Sequence, residues 1–285
     1  MASPASRLCS MPSADVALVT FAGMANGYED DALLAAALSR LGADVTFVCW
    51  DDAAVQWAAL DLAVVRSTWD YHQRPDAFLA WADFVRTASL LVNDAPTLRW
   101  NSHKGYLLEL ATAGVPVVPT VLARRGEVFT LPAGRWVVKP AVSIGAERTV
   151  RDAAQADLDA LVAVSDVLVQ PYVREVESGE VSLVCFGGVP SHAVRKVPAA
   201  GDFRTQEHLG ATVTAVPVTE ALDQLAGTVL SLLPTTPAYA RVDVVDTPDG
   251  PLLMELELIE PTLFFAHEVG AADALAALLL GLLAP

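Results

Sequence analysis

A β-hairpin is predicted at residues 239–261, which read Tyr-Ala-Arg-Val-Asp-Val-Val-Asp-Thr-Pro-Asp-Gly-Pro-Leu-Leu-Met-Glu-Leu-Glu-Leu-Ile-Glu-Pro. Two apolar runs, 239–245 and 251–258, flank the turn signal Thr-Pro-Asp-Gly at 247–250. Side chains alternate between the two faces of a strand, so charged residues spaced two apart fall on one face. The hairpin therefore predicts a sheet in the C-terminal part of the chain with charge on one side.

The charged face of this hairpin predicts a metal site. Arg241 shares a face with Asp243, Glu255 shares a face with Glu257, and Glu260 follows. Carboxylates gathered on one face repel one another unless a cation neutralises them. Oxygen ligands without a neighbouring His or Cys favour Mg²⁺, with Mn²⁺ as the alternative, so Asp243, Glu255 and Glu257 are the predicted ligands. The alternative is an exposed face of solvated acids, which the apolar flanking sequence disfavours.

Short β runs surround this hairpin from about residue 100 onward, and they predict a mixed, largely antiparallel module. The predicted strands are 135–139, 147–151, 167–170, 180–186 and 189–197. The predicted helices are 103–113, 153–164, 219–233 and 271–283.

The first hundred residues follow a different order, strand-helix-strand-strand-helix, which predicts a small parallel open sheet covered by helices. The predicted strands are 15–21, 44–50 and 61–65, and the predicted helices are 29–41 and 75–88. Such sheets bind ligands at the carboxyl ends of their strands. The segment just past the third strand contains the predicted substrate-binding residues Arg66, Ser67, Trp69, Asp70 and Tyr71.

This mixture of groups suits a small amino-acid-like zwitterion, because Arg66 can grip a carboxylate and Asp70 an amine. The alternative is structural: Trp69 and Tyr71 pack a domain interface, and Arg66 pairs with Asp70.

The amino-acid composition excludes some classes of protein and disfavours others. The chain has 285 residues, a formal charge of −16 and 53% apolar residues, which excludes disorder and favours about two domains. The acidity makes nucleic-acid binding unlikely, because phosphate backbones need a basic face. We expect no signal peptide or membrane partner, a cytoplasmic location, a flexible tail at 1–14 with Met11 as an alternative start, and a homo-oligomer as an open option.

Lysine is scarce, with three lysines against fifteen arginines, and this predicts phosphate binding by the lysines that remain. Lys139 ends a strand and precedes a small-residue loop at 141–146, where Ser143 and Gly145 let backbone N–H groups approach a phosphate. A second motif at 167–172 joins a strand to a proline-stiffened hinge, with Glu180 beyond it. Each motif alone is weak, and the first also fits an ordinary hairpin turn.

Taken together over residues 100–270, these motifs resemble the ATP-grasp superfamily, in its glutathione synthetase-like and D-alanine–D-alanine ligase-like branches. Arg-Val-Asp at 241–243 is similar to the Arg-Ile-Asp of the latter, and 254–261 is similar to the Glu-Ile-Asn-x-x-Ser-Pro motif. Glu257 departs from that motif, which usually has Asn. The resemblance implies an N-terminal α/β domain at 15–100 and two α+β lobes at 101–175 and 176–285 that hold ATP between them.

The resemblance also implies roles for individual residues. Lys196, Arg204 and Arg241 would act on the reacting groups, with Arg241 at the oxyanion. The residues implied to bind ATP are Lys104, in the helix before the central lobe, with Lys139, Ser143, Gly145, Gln170, Tyr172 and Glu180.

The implied activity is ATP-dependent joining of a carboxylate to an amine through an acyl phosphate, with release of ADP and phosphate. The segments 66–71 and 100–110 resemble a bacterial group that includes the D-cycloserine-forming ligase, which closes the ring of O-ureido-D-serine. A peptide-forming or amino-acid-conjugating ligase is the alternative. A non-catalytic nucleotide-binding regulatory protein is the alternative from another class.

Overall fold

The structure is a computed structural model that describes residues 13–199 and 210–284. Most of the predicted tail at 1–14 lies outside these residues, as does Arg204. Three sheets and seven α-helices make up the described part. Within it, no helix is long and apolar enough to cross a membrane.

The N-terminal sheet is small and entirely parallel, as predicted. Its strands run in the order β2-β1-β3-β4, with helices α1 and α2 packed on it. The bounds are β1 Asp15–Thr20, α1 Glu29–Arg40, β2 Asp44–Cys49, β3 Leu62–Ser67, α2 Pro75–Val85 and β4 Leu90–Val92. Both β1 and β3 are buried on both faces, which is why they read as continuous apolar runs rather than as alternating strands.

The central sheet is antiparallel and ordered β5-β8-β6-β7. Helix α5 lays Leu158 and Leu161 against Val138 and Val169 of this sheet. The bounds are β5 Val121–Ala123, β6 Trp136–Pro140, β7 Val150–Arg151, α5 Gln155–Val162 and β8 Val167–Pro171.

The C-terminal sheet has five antiparallel strands in the order β11-β10-β9-β12-β13. Its bounds are β9 Glu180–Phe186, β10 Val189–Val197, β11 Thr212–Val216, β12 Tyr239–Thr247 and β13 Gly250–Glu257. The remaining helices are α3 Ala95–Asn101, α4 Tyr106–Thr112, α6 Glu220–Ser231 and α7 Ala271–Gly281. On β12, Val242 and Val244 face the core under α4 and α6, which leaves the charged residues of the strand on the opposite face.

Helix α3 and the start of α4 hold the free edge of β13. The amide of Asn101 donates to the carbonyl of Leu256 and accepts from the N–H of Leu258, each at 2.8 Å. The hydroxyl of Tyr106 bonds the carbonyl and the N–H of Leu256 at 2.9 and 3.0 Å. These bonds satisfy backbone groups that an edge strand would otherwise leave free, and they fix the strand that carries the acids.

Two predicted boundaries were wrong in ways that matter for the site. Strand β3 continues to Ser67 because Thr20 of β1 still pairs with it across a register shift, so Arg66 and Ser67 belong to the strand. The helix predicted at 103–113 begins only at Tyr106. Lys104 lies in the preceding turn, where its N–H donates to the carbonyl of Ala141 at 2.8 Å.

Candidate active site

A cleft of about 600 Å³ lies between the central and C-terminal sheets, with the loop after β3 at one end. It brings together most of the residues predicted from sequence. The basic and acidic ones are Lys104, Lys139, Glu180, Lys196, Arg241, Asp243, Glu255 and Glu257. The others are Trp69, Tyr71, Ser143, Gly145, Gln170 and Tyr172.

The β12–β13 hairpin supplies the acidic wall of this cleft. Its register sets Asp243 opposite Glu255 and Arg241 opposite Glu257, so the four side chains lie in two adjacent cross-strand pairs. The guanidinium of Arg241 donates to Asp243 at 2.9 Å and also to Glu257. The Ser182 hydroxyl, from the neighbouring strand β9, donates to Asp243.

Burial and the neighbouring charges set the pKa values of these acids. Burial raises the pKa of Asp243, but Arg241 and Lys196 outweigh it and lower that pKa to about 2. Burial raises the pKa of Glu257 to about 7, since Arg241 offsets it only in part. The pKa of Glu255 is lowered, because Lys104 and Lys139 exceed the effect of its burial.

The three lysines of the chain converge on the same wall. Nζ of Lys104 lies 3.2 Å from Glu255, and that of Lys139 lies 4.0 Å from the same carboxylate. Lys196 contacts Glu180 at 2.5 Å and Asp243 at 3.6 Å. Burial lowers the pKa of Lys139, whereas Asp243 and Glu180 overcome burial and raise the pKa of Lys196. The cleft therefore contains cations that could contact a polyphosphate.

The chain's own cations neutralise the acids that were expected to need a metal ion. Within residues 13–199 and 210–284, no three carboxylate, His or Cys side chains come together closely enough to hold an ion. The donor chemistry still fits Mg²⁺, since Asp243 and Glu255 offer only oxygen and face each other across the hairpin. The three predicted ligands are thus adjacent but paired with Arg241, Lys104 and Lys196.

The small-residue loop after β6 closes one side of the cleft. Lys104 holds it, because its ammonium donates to the carbonyl of Ser143 while the Ser143 hydroxyl donates to Pro140 at 3.1 Å. Gly145 and Ala146 both have left-handed backbone angles, with φ of 55° and 60°. Successive residues in this region can turn their N–H groups toward an anion.

The predicted adenine hinge and ribose acid lie at the opposite side of the cleft from the N-terminal sheet. The Gln170 amide donates to Thr120 at 2.8 Å, and the Tyr172 hydroxyl donates to Glu177 at 2.8 Å. Glu180 forms an ion pair with Lys196. Their side chains are therefore already engaged, and the assignment of adenine and ribose to them stays a prediction.

The predicted substrate-binding residues fall into two groups: those paired within the protein and those that line the cleft. Arg66 is 2% exposed and donates to Asp31 at 3.0 Å and to the carbonyl of Pro261 at 2.8 Å. Asp70 accepts from Trp50 and from Arg74, at 2.8 and 2.7 Å. Arg66 and Asp70 are thus each paired, but not with one another as the structural alternative expected.

Only the aromatic members of this segment line the cleft among the described residues. Trp69 packs on Tyr28 with ring centroids 5.1 Å apart, and Tyr71 is buried beside them. The Ser67 hydroxyl instead bonds Thr20 at 3.0 Å inside the N-terminal sheet. Arg66 and Ser67 are adjacent and point to opposite faces of β3, but both are buried because the strand is covered on both faces, and Asp70 pairs at the half-buried edge of the domain.

Several residues of the site were not assigned a role from the sequence, among them Ser182, Asn101, Glu260, Tyr28 and Phe264. Ser182 reaches Asp243 only because β9 pairs with β12, and Asn101 reaches β13 across the whole central lobe. Glu260 lines the cleft just after β13. For Glu260 the signal was present, since it follows the hairpin acids at a short spacing; for Ser182 and Asn101, strand pairing and long-range contacts had to be known first.

Comparison with known proteins identifies the class. The family model "Prokaryotic glutathione synthetase, ATP-grasp domain" matches residues 121–268. The chain belongs to the ATP-grasp family, and it is an ATP-dependent ligase that forms carbon–nitrogen bonds. Ligases of this family use ATP, generally with Mg²⁺.

Within that class, the N-terminal part of the chain is similar to one particular kind of ligase. Residues 16–93 match the family model of the D-cycloserine synthetase DcsG N-terminal domain. The cycloserine biosynthesis protein DcsG of Streptomyces lavendulae is 34% identical over 248 residues, or 76% of this chain and 81% of that protein.

Solved structures agree with this similarity. The crystal structure of D-cycloserine synthetase DcsG superposes with a TM-score of 0.84 at 28% identity, over 94% of this chain and 99% of that one. The D-alanine–D-alanine ligase of Bacillus anthracis has a TM-score of 0.68 at 11% identity, over 94% of this chain and 97% of that one, and so shares the fold alone. The predicted fold class and superfamily are confirmed.

Proposed function

We propose that the chain activates a substrate carboxylate as an acyl phosphate and then joins it to a nitrogen. The carboxylate oxygen forms a bond to the γ-phosphorus of ATP, and the bond from that phosphorus to ADP breaks. The nitrogen then bonds the acyl carbon, phosphate leaves with the former carboxylate oxygen, and the nitrogen loses its proton to solvent. The observation that carries the proposal is the convergence of three lysines and Arg241 on the acidic hairpin in one cleft.

The residues of the cleft have distinct roles in this proposal. Lys104, Lys139 and Lys196 bind the phosphates, and the backbone of the loop around Ser143 and Gly145 covers them. Arg241 lies nearer the reacting carbon and stabilises the oxyanion as the tetrahedral species forms. Arg204 joins Lys196 in this set from the sequence resemblance alone.

Asp243, Glu255 and Glu257 are the residues that would hold Mg²⁺, with Mn²⁺ as the alternative. When bound, the ion supplies a Lewis-acid charge that neutralises the phosphate oxygens. A bound ion would supply counter-charge to these carboxylates, which would leave Lys104, Lys139 and Lys196 available to contact the phosphates.

This assignment is tested by Glu255→Gln. The variant keeps shape and an acceptor but takes the counter-charge from the buried Lys104 and Lys139, so we expect turnover to be lost and the melting temperature to fall while the protein stays folded. Steady-state ADP release at several Mg²⁺ concentrations, beside a melting curve, measures both. Near-normal activity of Glu255→Gln at low Mg²⁺ would contradict the metal assignment.

For the substrate we propose a small amino acid. As the specific reaction, in antibiotic biosynthesis, we propose closure of O-ureido-D-serine to D-cycloserine, in which the carbamoyl group on the ring nitrogen is lost to water as carbon dioxide and ammonia. Similarity to DcsG at both the N-terminal and ATP-grasp parts supports this choice. A peptide-forming or conjugating ligase is the second candidate, supported by the glutathione synthetase match.

ADP release and the mass of the product decide between these reactions. The full chain is incubated with ATP, Mg²⁺ and O-ureido-D-serine, and separately with pairs of amino acids. Ring closure predicts ADP release with the single substrate and a cyclic product. ADP release only with two amino acids would favour conjugation. A protein that binds ATP and releases no ADP with any of them would be a non-catalytic nucleotide-binding protein.

A further inference from the structure

Glu260 is a buried acid whose carboxylate has no answering cation. It follows β13, is 9% exposed and lines the cleft. In the described residues, no hydrogen bond or ion pair reaches its side chain. Its main-chain carbonyl accepts from Nε1 of Trp69 at 3.3 Å, which ties the backbone here to the loop after β3. The carboxylate is therefore held in place and open only to the cleft.

Among the described residues, the cations whose charges act on Glu260 are Lys104 and Arg241, and Lys104 is paired with Glu255 and Ser143. Arg241 is taken by Asp243, Glu257 and the carbonyl of Thr262. Arg66 donates to the carboxylate of Asp31 and to the carbonyl of Pro261. Burial, followed by the charge of Glu257, raises the pKa of Glu260 well above its usual range, and Lys104 opposes this only in part.

Aromatic rings surround this end of the cleft. Tyr28 and Trp69 pack against each other, Tyr71 is 3% exposed, and Phe264 lies on the same lining. Phe264 has a left-handed backbone with φ of 52°, uncommon for a residue other than glycine. Aromatic faces attract ammonium groups, and a carboxylate among them supplies the matching charge.

We propose that Glu260 binds the primary ammonium group of the substrate, within a pocket walled by Tyr28, Trp69, Tyr71 and Phe264. This inference rests on the proposed function, because it names the substrate class as one that carries a free ammonium besides the carboxylate to be activated. In this proposal the Glu260 carboxylate determines which substrate binds and takes no part in the bond-forming steps.

The chemistry of a ring-closing substrate gives such a pocket a purpose. O-ureido-D-serine has three nitrogens. Its α-nitrogen cannot close a ring on its own carboxyl carbon, which would be three-membered, but as a free amine it could attack the acyl phosphate of a second molecule. Holding the α-nitrogen as an ammonium ion removes its lone pair from that side reaction. The ureido nitrogen next to oxygen is the one that closes a five-membered ring, and the carbon–nitrogen bond forms there.

The test compares O-ureido-D-serine with 3-(ureidooxy)propanoate, which lacks only the ammonium group. Calorimetric binding of each, with a non-hydrolysable ATP analogue and Mg²⁺, is measured for the unmodified chain, for Glu260→Gln and for the exposed control Glu268→Gln. We expect the unmodified chain and Glu268→Gln to prefer the ammonium ligand by about 10- to 100-fold. Glu260→Gln should lose this preference while its melting temperature and its affinity for the ATP analogue stay unchanged.

Each result bears on a definite claim. Equal binding of the two ligands by the unmodified chain, or a preference that survives in Glu260→Gln, would overturn the role of Glu260. A preference that depends on Glu260, without ADP release from ATP, would overturn the proposed reaction and keep the ammonium pocket. If neither ligand binds, both the ammonium pocket and the proposed reaction are overturned.

Discussion

Arg241 and Arg66 are two buried arginines with nearly the same surroundings and different positions. Each pairs with a buried aspartate, at 2.9 Å for Arg241 and 3.0 Å for Arg66. Each also lies over an aromatic ring, Phe264 at 5.8 Å and Tyr239 at 5.2 Å. Only Arg241 lines the cleft, whereas Arg66 lies between the N-terminal sheet and the segment after β13.

The difference teaches that local chemistry does not distinguish a functional arginine from a structural one. What separates them is whether the ion pair borders a space that a ligand can enter. Two adjacent acids of α1 serve both sites, since Asp31 pairs with Arg66 while Asp30 accepts three N–H groups from residues 263–265. Those bonds hold the loop that carries Phe264 over Arg241.

The largest effect is expected for Arg66→Ala. It leaves Asp31 buried without its counter-charge and Pro261 without its donor, so the free energy of unfolding should fall by about 3–5 kcal/mol. Urea denaturation followed by circular dichroism measures it. A small loss of stability together with a raised KM for the amino-acid substrate would instead return Arg66 to the substrate site, where the sequence had placed it.

The same substitution at Arg241 should lower the catalytic rate. Arg241→Ala removes a donor to the oxyanion, so kcat should fall by about 10²–10³ while the KM for ATP changes little. Steady-state kinetics with each substrate varied in turn provides the measurement. A defect confined to the KM for ATP would make Arg241 a phosphate ligand only, and the contrast with Arg66 would then concern binding rather than catalysis.

Asp30→Ala tests the link between the two regions. It removes a charged acceptor of three backbone N–H groups, so stability should fall by about 1.5–3 kcal/mol. Because Phe264 loses its support above Arg241, kcat should fall as well. Loss of stability with an unchanged kcat would show that the loop at 263–265 does not position Arg241.

The smallest effect is expected at an exposed pair of the same chemical type. Arg40 contacts Asp273 at 2.5 Å, but both side chains are more than half exposed. Arg40→Ala should therefore cost no more than about 1 kcal/mol, since water and salt screen such pairs. A cost comparable to that of Arg66→Ala in the same urea titration would mean that burial is not what separates these arginines.

The sequence predicted those features that depend on local periodicity. The two strands of the hairpin at 239–261 were predicted from alternation and a turn signal. Their register was not, because a bulge between Asp243 and Val244 shifts it and sets Asp243 opposite Glu255 rather than opposite Met254. Strands β4, β5 and β11 were not predicted; β4 and β5 have only three residues each, which carry little periodic signal. The partner of Arg66 is 35 residues away in the chain, and no local pattern identifies Asp31 among the many acids.

The same limit applies to the site. Residues on the hairpin and the lysines were found from spacing and from scarcity, and the cleft brings them together. Their assignment to metal, phosphate or oxyanion stays a prediction. The expectation that the acids need a metal ion left out the lysines, which reach the hairpin from other elements and could not be placed beside it without the fold.

The buried bonds between the N-terminal and C-terminal sheets determine which part of the enzyme can move. Arg66 to Pro261, at 2.8 Å, and Tyr239 to Val65, at 2.6 Å, join these sheets through polar groups that water does not reach. The central sheet meets them at the rim of the cleft through half-buried contacts, such as His72 with Glu147 at 2.6 Å. The central sheet is also held by the buried contacts of Lys104 with Ala141 and Ser143. We expect that opening the cleft would move the central sheet and break these contacts, while the other two sheets stay joined.

This arrangement of joined and separate sheets affects how ligands enter and leave the cleft. The aromatic end of the cleft belongs to the rigid pair of sheets, so it has its bound shape before any ligand arrives. On the proposed function the nucleotide binds between these two sheets and the central sheet, so its departure requires the central sheet to move away. We therefore expect lobe motion to control release of ADP rather than access of the smaller ligand.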